Sequence, residues 1–248
     1  MIKKILLSLV LFTIFFFSTA INIDAAGWGF SKNPHHTTPE IGKYKKLIEG
    51  TSSYYVGDTT NKVVYLTFDA GYDNGQLDKI LDTLKEKGVS ASFFLTGDFV
   101  ERFESLTCRI SNEGHIVCNH SYGHKNIQHL SKDELKEDLD KLSNAYYELT
   151  GKEMSNYFRP PEGEFSKQSL LNVQDLGYKT VFWSIAYKDW DVNHQPSKEV
   201  AVKSIVDNLH NGAIILLHTV STTNSNSLGE MIDEIRNQGY TFKTVLDL

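Results

Sequence analysis

Cysteine is nearly absent from this 248-residue chain, with Cys108 and Cys118 the only two. Two thiols are too few for a disulfide framework and leave either one bridge or a pair of free thiols. A basic excess is also lacking: 25 Lys and Arg against 31 Asp and Glu give a formal charge of -6. No cationic stripe is available to bind nucleic acid or to dock tightly on an anionic surface, so no nucleic-acid partner is expected. Nor is there a run long enough to cross a bilayer. The one long apolar stretch, Ile5 to Phe17, is about 13 residues against the ~20 that a spanning helix needs.

That stretch has the layout of an export signal. Met1-Ile2-Lys3-Lys4 is a short basic head, and small residues follow at Ser18, Thr19 and Ala20 and again at Ala25 and Ala26. Residues 1–26 are therefore expected to be a signal peptide, cut after Ala20 or near Ala25. The mature chain is expected outside the membrane, secreted or in the cell envelope, as a monomer with no stable membrane insertion.

Residues 27–61 are rich in Gly, Asn, Thr, Tyr and Lys without a clear period, and read as an irregular lead-in wrapping the domain. From residue 62 to 248 the pattern changes to short apolar runs alternating with amphipathic stretches. Val63–Phe68, Ala91–Leu95, His115–Cys118, Tyr157–Arg159, Thr180–Ile185, Ala213–Leu217 and Tyr240–Val245 read as strands. Gly75–Lys87 reads as a helix with Leu77, Ile80, Leu81 and Leu84 on one face and Gly88 as its stop. A helical turn is expected after Leu95. Ser131 with Glu134 forms a capping box ahead of a long helix whose face carries Leu135, Leu139, Leu142 and Tyr146. Further helices are expected near Lys167–Leu176, Ser197–Leu209 and Ser227–Asn237. About seven βα units predict a single α/β domain with a mainly parallel sheet, either closed or doubly wound.

The polar residues favour closure. Asp69, His120, Arg159 and His218 each fall at the carboxyl end of an expected strand. Barrel enzymes collect catalytic groups from several strands at that rim, whereas a doubly wound sheet gathers them only at its switch point. His120 and His124, in His120-Ser121-Tyr122-Gly123-His124, are spaced so that both imidazoles can converge on one metal, and Gly123 favours a loop over a helical turn. Taken alone, such a pair is equally a surface histidine cluster. Asp69 at the same mouth can act as a general base on metal-activated water, or serve only as a turn or cap aspartate. His218 reads as an imidazole held at a buried strand end, for catalysis or as a satisfied core residue.

Thr67-Phe68-Asp69, His120-Ser121-Tyr122-Gly123-His124, Arg159-Pro160-Pro161, Asp189-Trp190 and Leu216-Leu217-His218-Thr219 resemble, in order and spacing, the five motifs of the polysaccharide deacetylases, carbohydrate esterase family 4. The resemblance runs from Val63 to Leu248. Within the family, Thr67 to Asn74, Phe182-Trp183-Ser184, Leu217 to Ser221 and the lead-in around Trp28-Gly29-Phe30 are similar to the sporulation branch. That branch comprises the δ-lactam-biosynthetic de-N-acetylases of spore-cortex peptidoglycan.

The resemblance implies a distorted (β/α) barrel and a metal-dependent N-deacetylase acting on N-acetylmuramic acid in peptidoglycan glycan strands. It implies Asp69 as base, Arg159 orienting it, and His218 as acid held by Asp189. It also implies His120 and His124 as ligands of a divalent metal, with Zn2+ the first choice from imidazole preference. Tyr72, Pro161, Glu162 and Trp190 are expected at the sugar; Tyr187 is a further aromatic candidate, Trp183 is either that or a core aromatic of its strand, and Phe182 is better read as a core aromatic than as a stacking residue.

Two departures stand out. The general family pattern places a second aspartate directly after the base, as third metal ligand, and here that residue is Ala70; Asp73 or a water is left for the role. Glu162 stands where a basic or aromatic residue is expected beside a sugar carboxylate. N-acetylglucosamine specificity, and a weakly active glycan-binding wall protein, are the competing expectations.

Overall fold

Every side chain of Val63–Ala70 is buried, so this stretch reads as a continuous apolar run until Thr67 and Asp69 break it. That is the signature of a central parallel strand covered on both faces. The computed structural model describes residues 26–32 and 35–248. The expected signal peptide lies outside the described residues, apart from Ala26.

In chain order the elements are β1 (Ala26–Gly27), α1 (Tyr44–Ile48), β2 (Ser53–Tyr54), β3 (Val63–Ala70), α2 (Leu77–Lys87), β4 (Ser92–Leu95), α3 (Gly97–Arg102), α4 (Glu104–Asn112), β5 (Ile116–Asn119) and α5 (Lys132–Thr150). The second half contains β6 (Tyr157–Phe158), β7 (Glu164–Phe165), α6 (Lys167–Asp175), β8 (Lys179–Val181), α7 (Lys198–Val206), β9 (Ala213–His218), α8 (Thr222–Asn237) and β10 (Thr241–Lys243).

β3 pairs with β9 along Val64–Asp69. Its other edge is shared by β10 at its start and β4 at its end. The sheet runs on through β5, β6, β8 and β2, and all of these pairings are parallel. It curls far enough that Ile185, just past β8, makes a parallel bridge to Ile215 of β9. The result is the expected distorted (β/α) barrel. All seven expected strands are present, and β2 adds one more.

Alternation along β3 divides the core. Val64, Leu66, Phe68 and Ala70 join the apolar layer that includes Leu77, Leu81, Leu228 and Ile232 of the covering helices, while Val63 and Tyr65 join an inner cluster with Phe94, Cys118, Val181 and Ile214. Side chains two apart share a face, so Asp69 continues the inner row and emerges at its open end. Ala70 belongs to the helix-facing layer.

Helix ends follow local chemistry. Gly88 takes the left-handed conformation that closes α2. The capping box of Ser131 and Glu134 is formed, and Leu135, Leu139, Leu142 and Tyr146 are the buried apolar face of α5.

Some segments differ from expectation. The stretch after β4 is two helices, α3 and α4, rather than a single helical turn, and Cys108 lies in α4. α8 begins well before Ser227, because the Ser221 hydroxyl accepts from the Asn224 N–H and caps it. Residues 27–61 carry α1 and β2, and β1 pairs antiparallel with β7. Cys108 and Cys118 are both free, and burial pushes the Cys118 thiol up to about 12, which makes it inert.

Candidate active site

At the carboxyl end of the barrel, Asp69 from β3, His120 after β5 and His218 at the end of β9 face one cavity of about 1080 Å³. His124, Tyr72, Glu162, Trp183, Tyr187 and Trp190 also line it. Arg159, directly after β6, and Asp189, in the loop after β8, lie beneath the floor and are almost fully buried. Pro161 is buried in the turn that presents Glu162. Asp73 is elsewhere: its carboxylate accepts from the N–H groups of Gly75 and Leu77 at the front of α2, and it does not line the cavity.

Arg159 sets the state of Asp69. Its Nη1 donates to Asp69 Oδ1 at 2.7 Å, its Nη2 donates to Thr67 Oγ1 at 2.9 Å, and its Nε donates to the Val181 carbonyl at 3.0 Å. The guanidinium also lies over the Phe94 ring at 4.1 Å. Burial pushes the Asp69 carboxyl up, but the Arg159 guanidinium beside it outweighs that and holds the group below the ordinary carboxylate value. Asp69 is therefore ionised, with one oxygen committed to Arg159 and Oδ2 turned towards His120 at 3.6 Å.

A second pair faces it. His218 Nδ1 sits 2.7 Å from Asp189 Oδ1, and the His218 backbone N–H donates to Oδ2 at 2.8 Å. A carboxylate on Nδ1 fixes the proton there and leaves Nε2 as the working nitrogen. Burial lowers the imidazole, but the hydrogen bond and charge of Asp189 prevail and raise it above the ordinary histidine value.

The groups that hold Asp189 were not among the residues expected at the site. Asn224 Nδ2 donates to Asp189 Oδ2 at 2.7 Å and to the His218 carbonyl at 3.0 Å, while its Oδ1 accepts from the Tyr187 hydroxyl. Gln195 Nε2 donates to the Asp189 carbonyl at 2.6 Å, and its Oε1 accepts from Ser221. The available signal was the polar run Thr222–Ser227 straight after His218: Thr223, Asn224, Ser225 and Ser227 are all buried. Tyr187, expected only as a sugar-stacking candidate, is thus also part of this network.

The two histidines occupy a strained loop, as the Gly123 argument expected, although the left-handed residues are Ser121 (φ 69°) and His124 (φ 50°). Asp138 of α5 holds the loop by accepting from the N–H groups of Tyr122 and Gly123. His120 Nδ1 donates to the Arg159 carbonyl at 2.8 Å, which leaves Nε2 as a lone-pair donor. Burial drives His120 down to about 4, keeping it neutral, the form in which imidazole binds metals. The His120 and His124 rings stand 5.1 Å apart. Among the described residues no group of three His, Cys, Asp or Glu forms a metal cluster. The donor chemistry fits a divalent ion through two imidazoles, and with Asp73 engaged elsewhere the third position is left to water.

The rim is aromatic and acidic. Trp190 is 56% exposed and Tyr72 44% exposed, so both can take a sugar face. Phe182 is a core residue stacked on Trp28, whereas Trp183 lines the cavity. Glu162 holds a left-handed backbone (φ 56°) at the edge.

The sequence profile of the polysaccharide deacetylases matches residues 56–181. This chain belongs to that family. It is 43% identical over 230 residues to the peptidoglycan-N-acetylmuramic acid deacetylase PdaA of Bacillus subtilis, covering 92% of this chain and 88% of the relative. The solved structure of that PdaA, a family 4 carbohydrate esterase, superposes with a TM-score of 0.88 over 92% of this chain and 98% of its own. A peptidoglycan-N-acetylglucosamine deacetylase of Bacillus cereus is 30% identical, covering 80% of this chain and 72% of the relative. Membership makes this polysaccharide deacetylase chain a hydrolase of amide bonds.

Proposed function

We propose that the chain is a metal-dependent N-deacetylase of N-acetylmuramic acid in peptidoglycan. It frees the amine that later closes on the lactyl carboxyl as the muramic δ-lactam of spore cortex. The observation that carries this reading is a pair of proton-handling groups facing one cavity, Asp69 held ionised by Arg159 and His218 held protonatable by Asp189. The 43% identity to an N-acetylmuramic acid deacetylase supports the substrate.

Asp69 takes a proton from the attacking water as its oxygen bonds to the acetamide carbon. Arg159 keeps this base ionised at some cost in basicity and fixes its direction. The backbone N–H after Pro161, that of Glu162, is the chain's own donor to the developing oxyanion. His218 Nε2 then protonates the departing nitrogen as the C–N bond breaks, so acetate and a free amino sugar leave. His120 and His124 would hold a divalent metal, with zinc the imidazole preference, which would supply Lewis acidity for the carbonyl and the water. Trp190 and Tyr72 stack on the sugars.

With residues 1–26 removed as a signal, residues 27–61 form the lead-in and 62–248 the catalytic domain of a monomer working at the cell envelope. Among the described residues no helix is long and apolar enough to cross a membrane.

The runner-up is N-acetylglucosamine in peptidoglycan or chitin-type chains. It is favoured by Glu162 at the rim and by the lack of Lys or Arg among the residues lining the cavity, which disfavours a sugar carboxylate. The deciding experiment incubates cortex and vegetative peptidoglycan fragments with the mature protein, with and without chelator and added Zn2+, and reads masses. Loss of one acetyl mass from muramic acid, abolished by chelation, is the expected result. Loss from glucosamine keeps the chemistry and overturns the substrate, and no change under any metal indicates a glycan-binding protein.

A further inference from the structure

Trp28 precedes the family-matched region, yet it reaches the wall of the cavity at several points. Its backbone N–H donates to the Gly163 carbonyl at 2.8 Å, and its indole Nε1–H donates to the Trp183 carbonyl at 2.9 Å. Its ring stacks on Phe182, with centroids 4.3 Å apart and planes at 15°. Just before it, Ala26 and Gly27 pair with Phe165 and Glu164. Gly163 and Trp183 both line the cavity, and the Phe182 carbonyl accepts from Arg159 Nη2 at 3.5 Å.

These contacts leave no slack. Gly163 holds φ +67°, and a Cβ built there stands 2.9 Å from Trp183 Cη2 and 3.0 Å from Trp28 Cβ. Real Cβ atoms essentially never come closer than 3.0 Å, so no side chain fits at this position between Trp28 and Trp183, and the three residues are closely packed. The turn Pro161–Gly163, which carries the Glu162 N–H, is the piece so clamped.

We propose that Trp28 is a positioning residue of the active site. The strap 26–28 fixes the turn Pro161–Gly163 and the Trp183 ring, and through them the place of the sugar against Asp69 and His218. Misplacing a bound group by about 1 Å costs on the order of 10²-fold in rate. The lead-in thus contributes to turnover as well as to folding.

The test compares Trp28→Ala and Trp28→Phe with Leu170→Ala. Leu170 is buried in the same aromatic cluster, in α6, and serves as a control for stability loss. Thermal midpoints, kcat and KM for acetate release, and the Kd of an acetylated glycan oligomer are measured for each, with activity and binding assayed well below every midpoint. The expected result is that Trp28→Ala lowers kcat/KM and weakens Kd by about tenfold or more beyond Leu170→Ala. Trp28→Phe, which keeps an aromatic ring for the stack but loses the indole N–H and part of the ring area, should recover most of the loss. If Trp28→Ala does not fold, Trp28→Phe is read alone, and about threefold or more in kcat/KM or Kd is expected. Values within twofold of the control overturn the proposal. The activity arm rests on the deacetylase reading; if the wild type releases no acetate that reading fails, and Kd alone decides the role of Trp28.

Discussion

His218 Nδ1 and its own backbone N–H both meet the Asp189 carboxylate, at 2.7 and 2.8 Å, so one buried acid fixes the ring and the strand end that bears it. Asn224 holds the second oxygen of that acid. The geometry is that of an imidazole prepared to carry a proton towards the cavity.

The pH dependence follows from it. His218 titrates above its ordinary 6.5, against the effect of burial and because of Asp189. In the proposed general-acid role it works while protonated, so activity is expected to fall as pH rises through the raised value. Asp189→Asn removes the raising influence and leaves burial, so the alkaline limb of the kcat profile moves to lower pH and kcat at neutral pH falls about 10²-fold. Stability follows the same sign. The contribution of the pair is complete below about 6.5 and is lost as pH rises through the folded value, which urea denaturation against pH reads directly. An unmoved limb in Asp189→Asn would remove His218 from the acid role.

Arg159 and Asp69 form a buried ion pair in which Asp69 depends on Arg159, whereas Arg159 also has the Thr67 hydroxyl and the Val181 carbonyl as acceptors. Arg159→Leu leaves a buried unpaired carboxylate and is expected to cost about 3–5 kcal/mol in urea denaturation. In an Asp69→Asn background the same change should cost clearly less, because no stranded charge remains. Asp69→Asn by itself should lower kcat by about 10²- to 10⁴-fold while the glycan still binds. Equal costs in both backgrounds would show that the two residues are not coupled.

Metal content can be read without turnover. After dialysis against Zn2+, about one equivalent per chain is expected by elemental analysis, falling well below that in His120→Ala and in His124→Ala. Saturating metal should stabilise the wild type by about 2.7 kcal/mol at 100 times Kd and leave both variants unmoved. Asp73→Asn should keep its metal, since the Asp73 carboxylate is engaged with the amides of Gly75 and Leu77.

Glu162 is the rim charge nearest to the question of substrate. A like charge about 4 Å away in water costs about 1 kcal/mol, roughly fivefold. Glu162→Gln should therefore raise kcat/KM on strands with free lactyl carboxylates by about two- to fivefold and leave neutral N-acetylglucosamine oligomers nearly unchanged. Equal effects on both substrates would mean that Glu162 does not read substrate charge.

The seven strands, the capping box at Ser131 and the polar strand ends at Asp69, His120, Arg159 and His218 were legible because each is a local pattern: alternation, a three-residue spacing, a polar residue closing an apolar run. The ordered motifs extended this to Asp189. What no local pattern carries is the partner of each group. Arg159 meets Asp69 across 90 positions of chain and Trp28 meets Trp183 across 155, and only the closing of the barrel brings them together. Strand parity hid the fate of Ala70, since nothing in the residue itself says that it faces the helices while Asp69 faces the mouth. Asn224 stayed hidden in a polar helix start until the fold laid it against Asp189. The alternation of strands and helices and the residue types that close the apolar runs follow from local sequence, because these depend on neighbours along the chain. The fold sets which carboxylate is held below its ordinary value, which imidazole is raised above its own and which wall Trp28 packs on, because those depend on burial and on charges that the chain brings from far away.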